Sequence, residues 1–168
     1  RAETLTPFAY HSLAVQGGRL FAKPHVPMLT ERNTRSGFLS AAQVADVCGH
    51  LPEPLRAVVR FAFITAWRIN SEVLTLQWRN VDFVAGEVRL DADTTKNREG
   101  RVFPMTKDLR LLLQAQRDAT DAYQKSHGKI VAQVFHRNGK PIRNFYGAWK
   151  AATEAAGLPS RIPHDLRR

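Results

Sequence analysis

The 168-residue chain predicts an α+β fold, mainly helical, with one small antiparallel β-sheet set among the helices. Three observations predict it. Apolar residues recur at helical spacing along most of the chain. Capping and stop signals bracket the helical segments. The period changes to that of strands around residues 87–103.

Residues 4–16 carry Leu5, Phe8, Leu13 and Val15 at helical spacing, and Gly17-Gly18 would stop that helix. Residues 22–37 hold Pro24, Pro27, Gly37 and several charges, which reads as a linker with a domain boundary near residue 37. Ser40 and Gln43 form a capping-box pattern, so a helix is expected from there to about His50. Pro52 and Pro54 open the next helix, since proline is tolerated in a first turn. Leu55, Val58, Val59, Phe61, Ala62, Phe63 and Ile64 cover nearly its whole circumference, the mark of a buried central helix ending near Trp67-Arg68. A further short helix is expected from Ser71 through Gln77.

Glu87–Leu90 and Arg101–Phe103 then read as strands. The polar stretch from Thr94 to Gly100 has turn chemistry and places Lys96 near the start of a hairpin turn. Thr106 caps a long helix with Leu109, Leu112, Leu113 and Tyr123 on one face. Val134-Phe135 is expected as a short strand before the Asn138-Gly139 turn. Phe145, Ala148, Trp149, Ala152, Ala155 and Ala156 mark a last helix that Gly157 ends. Pro163 to Arg168 looks like a helix just beginning.

Charge narrows the partners. Lys plus Arg total 25 against 15 Asp plus Glu, a net charge of +10. The excess is uneven: residues 38–124 balance at eleven of each sign, while residues 125–168 carry nine basic and two acidic side chains. A polyanion, nucleic acid above an anionic surface, is therefore the leading partner. No apolar run is long enough to span a membrane. The single cysteine, Cys48, excludes an internal disulfide and a multi-cysteine zinc site, and fits a reducing compartment.

Several side chains could carry chemistry. Arg68 follows the most hydrophobic helix, where a guanidinium needs a carboxylate, carbonyls or a bound anion. Glu72 lies four residues on and can form an internal pair with it, which leaves room for a phosphate on the other side. His164 and Arg167 stand three apart, on one face if helical, with Leu166 turned inward. Arginine binds phosphate bidentately and histidine exchanges a proton near neutral pH. The six histidines show no paired metal-binding spacing.

The order of these features is more specific than any one of them. Thr65-Ala66-Trp67-Arg68 is followed by Ser71 to Trp78 with Val81-Asp82, then Thr95-Lys96-Asn97 with Val102-Phe103-Pro104. Phe135 with Gly139-Lys140-Pro141 follows, and finally His164-Asp165-Leu166-Arg167. The series resembles the catalytic domain of the tyrosine recombinases, the phage integrase family, over residues 38–168. Residues 1–20 are similar to the last helix of that family's core-binding domain, with 21–37 as the linker.

The resemblance implies strand cleavage and rejoining on double-stranded DNA through a 3′-phosphotyrosyl intermediate, without metal or other cofactor. It implies a homotetramer on DNA, and the cytoplasm of a prokaryote, from a phage or mobile element. Arg68 and Arg167 match the two arginines that bind the scissile phosphate. Lys96 matches the hairpin lysine that protonates the leaving 5′-oxygen. His164 matches the histidine that assists proton transfer, and Glu72 the acidic residue that supports the first arginine.

Three departures accompany it. Ala66 and Trp67 stand where the family has glycine and a small apolar residue. Glu72 comes four residues after the arginine rather than three. Tyr10, Tyr123 and Tyr146 all precede His164, so none is in the nucleophile's place; each is expected in packing or at the surface. The nucleophile and the family's later His or Trp are expected beyond Arg168. The same landmarks would also mark a non-catalytic DNA-binding remnant of an integrase. A basic protein for RNA or an anionic surface would account for the charge without the landmarks.

Overall fold

The computed structural model describes residues 37–92 and 100–167. The expected helix in 4–16, the linker, and Lys96 lie outside the described residues.

Helix α1, Ala41–His50, begins as its sequence requires. The Ser40 hydroxyl accepts the Gln43 N–H at 3.2 Å, and the Gln43 side chain accepts the Ser40 N–H at 2.9 Å. Helix α2, Glu53–Thr65, has proline in its first turn and buries Leu55, Val58, Val59, Phe61 and Ala62. It lies at the centre of the helices as expected, but it is not buried all round: Arg56 and Arg60 are exposed, and Phe63 and Ile64 are only half-buried. Helix α3, Lys107–His127, is capped by Thr106, whose hydroxyl accepts the Leu109 N–H. Leu109 and Leu113 are buried on its inner face. Helix α4 is Tyr146–Ala155.

The small sheet has three antiparallel strands in the order β1-β2-β3. Strand β1 is Val81–Asp82, β2 is Glu87–Leu90 and β3 is Arg101–Pro104. Pairing of Leu90 with Arg101 and of Glu87 with Pro104 fixes the register of β2 and β3. A two-stranded ribbon, β4 (His136–Arg137) and β5 (Lys140–Pro141), stands apart from this sheet. Asn138 and Gly139 turn it with φ of 52° and 70°, the left-handed pair that a two-residue hairpin demands. A Cβ on Gly139 would also lie 2.6 Å from the Tyr123 ring.

Two expected elements are corrected. The strand lies at His136–Arg137, not Val134-Phe135. Val134 and Phe135 are instead fully buried, and the Val134 N–H goes to the Leu76 carbonyl at 2.9 Å. Burial on both sides, not strand pairing, explains their apolar character. The helix expected over Ser71–Gln77 is a π-helical turn at Ile69–Val73, followed by a 3₁₀ turn at Trp78–Asn80. The N–H of Leu74 reaches back five residues to the Ile69 carbonyl at 2.8 Å, and that of Val73 to the Arg68 carbonyl at 3.0 Å.

One aromatic chain ties α2 to both neighbouring layers. Phe61 meets Trp67 edge-on at 5.6 Å between centroids and Phe135 at 5.3 Å. Trp67 in turn meets Phe103 of β3 at 6.3 Å. Each such edge-to-face pair is worth about 0.5–1.5 kcal/mol beyond its burial. The bulky residue before Arg68 thus fills the space between helix and sheet. It also fixes the segment that carries Arg68.

Candidate functional site

Helix α2 ends at Ala66, which adopts the left-handed conformation at φ 53°, ψ 25°. That turn redirects the chain so that Arg68 leaves the core while Trp67 stays in it. Arg68 then acts as the N-terminal cap residue of the π turn, with an extended backbone. Its own N–H is donated to Glu72 Oε2 at 2.7 Å. Its Nη1 is donated to Glu72 Oε1 at 3.0 Å. The internal pair expected from spacing is present, and it is made twice.

The geometry accounts for the irregular spacing. In a capping box, the residue three after the cap accepts the cap residue's N–H. Here the acceptor is four residues on. The π turn takes up the extra residue, so Glu72 reaches the position a third residue would hold in an α-helix. Its carboxylate is completely buried.

A second guanidinium shares that carboxylate. Arg101, at the start of β3, donates Nη2 to Glu72 Oε1. The sequence reading did not single out Arg101. The signal was strand alternation: Arg101 and Phe103 are half-buried on one face of β3, while Val102 and Pro104 are exposed. A charged residue on the face that packs against Trp67 needs a partner there.

The third guanidinium comes from the other end of the chain. Pro163–Leu166 forms a 3₁₀ turn rather than the start of an α-helix. The Asp165 carboxylate reaches back to accept the Ile162 N–H at 2.9 Å. The Asp165 carbonyl accepts the Leu39 N–H at 3.3 Å, and Leu166 is buried. The Trp149 Nε1 donates to the Arg161 carbonyl at 2.8 Å, so α4 steadies the approach to this turn. Arg167 follows the turn with an extended backbone, its N–H bonded to the His164 carbonyl at 3.1 Å. His164 is exposed. Arg167 donates Nε to the Ala66 carbonyl at 2.7 Å, two residues before Arg68 and 101 residues away in sequence.

Arg68, Arg101 and Arg167 therefore surround Glu72, with two positive charges in excess of that carboxylate. Burial holds the Arg167 pKa below the ordinary arginine value. The Arg68 and Arg101 charges push the same way, and Glu72 opposes them. The guanidinium stays charged. Burial is the larger cause and the neighbouring guanidiniums add to it; a bound anion would offset both. Arg68 and Arg101 remain 38% and 41% exposed in their side chains, so an anion has access. Among the described residues, no three His, Cys, Asp or Glu side chains gather as a metal-ligand set.

Other features lie elsewhere. A cleft of 880 Å³ is lined by residues of α1, α2 and α3, including Val44, Ile64 and Leu112, and by none of the three arginines. Tyr123 stacks on His127 at 4.0 Å, and Tyr146 is exposed at the start of α4. Tyr10 lies outside the described residues. Cys48 is buried, and burial raises its thiol pKa. No described helix is long and apolar enough to cross a membrane.

The sequence profile of the phage integrase family matches residues 37–168. The chain belongs to that family. Solved integrases share its fold. A lambda integrase tetramer bound to a Holliday junction aligns at TM-score 0.66 and 17% identity, over 95% of this chain and 47% of its own. A lambda integrase dimer bound to a COC′ core site aligns at TM-score 0.67 and 16% identity, over 95% and 60%. The Tn1549 transposon integrase in complex with circular intermediate DNA gives TM-score 0.63 and 14% identity, again over 95% and 60%. The chain thus spans about half to three-fifths of the length of these proteins. No curated protein matches it. The α+β fold expected from the sequence, helices around a small antiparallel sheet, is that of the integrase catalytic domain.

Proposed function

We propose that residues 38–168 belong to the catalytic domain of a site-specific DNA recombinase, which cuts and rejoins duplex DNA through a 3′-phosphotyrosyl intermediate. The observation that carries this reading is the meeting of Arg68 and Arg167. The Arg167 Nε holds the Ala66 carbonyl, which sets the second guanidinium beside the first.

Arg68 and Arg167 bind the non-bridging oxygens of the scissile phosphate. In-line attack by a tyrosine oxygen forms the O–P bond and breaks the bond from phosphorus to the 5′-oxygen. Negative charge builds on the equatorial oxygens. Preorganised donors there are worth roughly 3 kcal/mol or more apiece. Lys96 gives the leaving 5′-oxygen its proton, a contribution of about 10²–10⁴-fold in rate. His164 holds the phosphate and assists proton transfer from the attacking hydroxyl. Glu72 keeps Arg68 aimed, through its bonds to the backbone N–H and to Nη1. A 5′-hydroxyl from the partner strand reverses the step and conserves the phosphodiester energy.

The nucleophile is not assigned to Tyr10, Tyr123 or Tyr146. In this reading residues 1–20 belong to a core-binding domain joined through the linker 21–37. The two domains grip a duplex within a DNA-assembled homotetramer. Among the basic side chains of 125–168, Lys125, Lys129, Arg137, Lys140, Arg143 and Lys150 are exposed and suit phosphate contacts.

The test uses the product of the complete natural reading frame and its own attachment site carrying a bridging 5′-phosphorothiolate. The departing thiol cannot rejoin, so covalent protein–DNA adduct accumulates. Arg68→Ala is expected to abolish adduct while weakening binding only modestly. Binding without any adduct would overturn the enzyme reading in favour of a DNA-binding remnant.

A further inference from the structure

We propose that Arg101 is a third phosphate-binding residue of this site, aimed by the Glu72 carboxylate that it shares with Arg68. The inference rests on the phosphate-binding reading above and adds to it a residue that the integrase motif series does not include.

Three observations support it. First, neutralising one carboxylate takes one guanidinium, and Glu72 already receives both the Nη1 and the backbone N–H of Arg68. Arg101 is therefore a cation beyond what Glu72 needs. Second, its bond to Glu72 uses one of five N–H donors, and the side chain stays 41% exposed. Donors remain for a ligand arriving from solvent. Third, Arg101 stands on a strand whose register is fixed by pairing with Leu90, itself buried at 5% exposure. A guanidinium held at both its backbone and its Nη2 is preorganised, and preorganisation makes a donor effective against developing charge. A purely structural ion pair would leave two positive charges in excess of Glu72, relieved by water alone. A phosphate bridging Arg101 with Arg68 or Arg167 relieves them.

The test compares wild type with Arg101→Gln and Arg101→Lys in the 168-residue chain. One readout is duplex DNA affinity across a potassium chloride series. The other is thermal stability in inorganic phosphate against chloride of equal ionic strength. The Gln variant is expected to bind duplex roughly ten-fold more weakly, the loss of one charge-assisted hydrogen bond. Its slope of log affinity against log salt should fall by about 1. It should also lose most of the stabilisation that phosphate gives wild type. The Lys variant keeps the charge, so it should keep the slope and part of that stabilisation.

If Arg101 only braces Glu72, Arg101→Gln will lower the melting temperature yet keep the salt slope and the phosphate response. That result overturns the assignment. The recombinase reading is judged by adduct formation from the complete reading frame, so a 168-residue chain stabilised by phosphate but unable to bind duplex would not decide it. Arg101 would still be judged by its phosphate response.

Discussion

Glu72→Gln tests the centre of the site with almost no change in shape. The carboxylate offers two acceptor oxygens. Oε1 takes both guanidiniums and Oε2 takes the Arg68 N–H. A carboxamide has one acceptor. If its oxygen faces the guanidiniums, its NH₂ confronts the Arg68 N–H; if it is flipped, the NH₂ confronts two cations. Either way a donor next to a fully buried group loses its partner, at a cost of about 1–3 kcal/mol. Removing the negative charge also leaves Arg68, Arg101 and Arg167 uncompensated. Breaking a fully buried pair costs about 3–5 kcal/mol. Here the arginines are 38% and 41% exposed at positions 68 and 101, so water recovers part of that. The expected total is about 2–4 kcal/mol, out of the roughly 5–15 kcal/mol that holds a domain folded. In a domain of this size the melting temperature should fall by on the order of 10 °C. Urea unfolding followed by circular dichroism measures it, with calorimetry for the midpoint. Phosphate should recover more of the loss in the variant than it adds to wild type. A change under about 1 kcal/mol would refute the claim that Glu72 organises the three arginines.

Two further outcomes follow from local geometry. Ala66→Gly should stabilise the domain by about 0.5–1 kcal/mol, because an L-residue in the left-handed region costs about 1–2 kcal/mol and glycine gives back part of that as chain entropy. Calorimetry should show a rise of a few degrees; a fall would mean that the Ala66 methyl packing outweighs the backbone term. His136 should make stability depend on pH. Its Nδ1 accepts the Gly139 N–H at 3.3 Å, so Nε2 carries the hydrogen donated to Thr120 Oγ1 at 3.1 Å. Burial lowers its pKa below the ordinary 6.5. The neutral ring is therefore the folded form. Its stabilisation is complete above the unfolded value and is lost as pH falls through the folded one. Urea midpoints measured downward from pH 7 should drop in wild type and drop less in His136→Asn; parallel curves would rule this out.

Much of the fold was legible because local signals and tertiary packing agree. Ser40 with Gln43, Pro52 with Pro54, Thr106, and Gly157 set helix ends that packing had no reason to move. Val134 and Phe135 misled because a short apolar run marks burial on all sides as readily as a strand. The ribbon two residues later is set by Asn138-Gly139, whose register follows from the turn and not from hydrophobicity. Arg101 was invisible for another reason. Its partner Glu72 is 29 residues away, across a sheet-to-helix packing that no local pattern encodes. Only its place on the same face as Phe103 hinted at it.

The spacing from Arg68 to Glu72 shows how an apparent departure can preserve an arrangement. Counted along the sequence, the acid is one residue late. Counted along hydrogen bonds it is on time, because two consecutive five-residue bonds widen the turn by the extra residue. The constraint is thus not a number of residues but the return of a carboxylate to the N–H and the guanidinium of one arginine. Ala66 and Trp67 fit the same logic. The left-handed turn is made at the family's glycine position although a methyl group is present, and the indole fills the space beyond a small side chain with contacts to Phe61 and Phe103. With Ala66, Trp67 and Glu72 so placed, Arg68 stands where Arg167 can join it through the Ala66 carbonyl. Deleting Asn70 offers a direct check. It restores the spacing of three and should turn the π bonds into α-helical ones while keeping the Arg68–Glu72 pair. Amide hydrogen exchange at Val73 and Leu74, read with melting temperature and duplex affinity, would report it. Loss of duplex affinity together with stability would show that the wide turn itself is required.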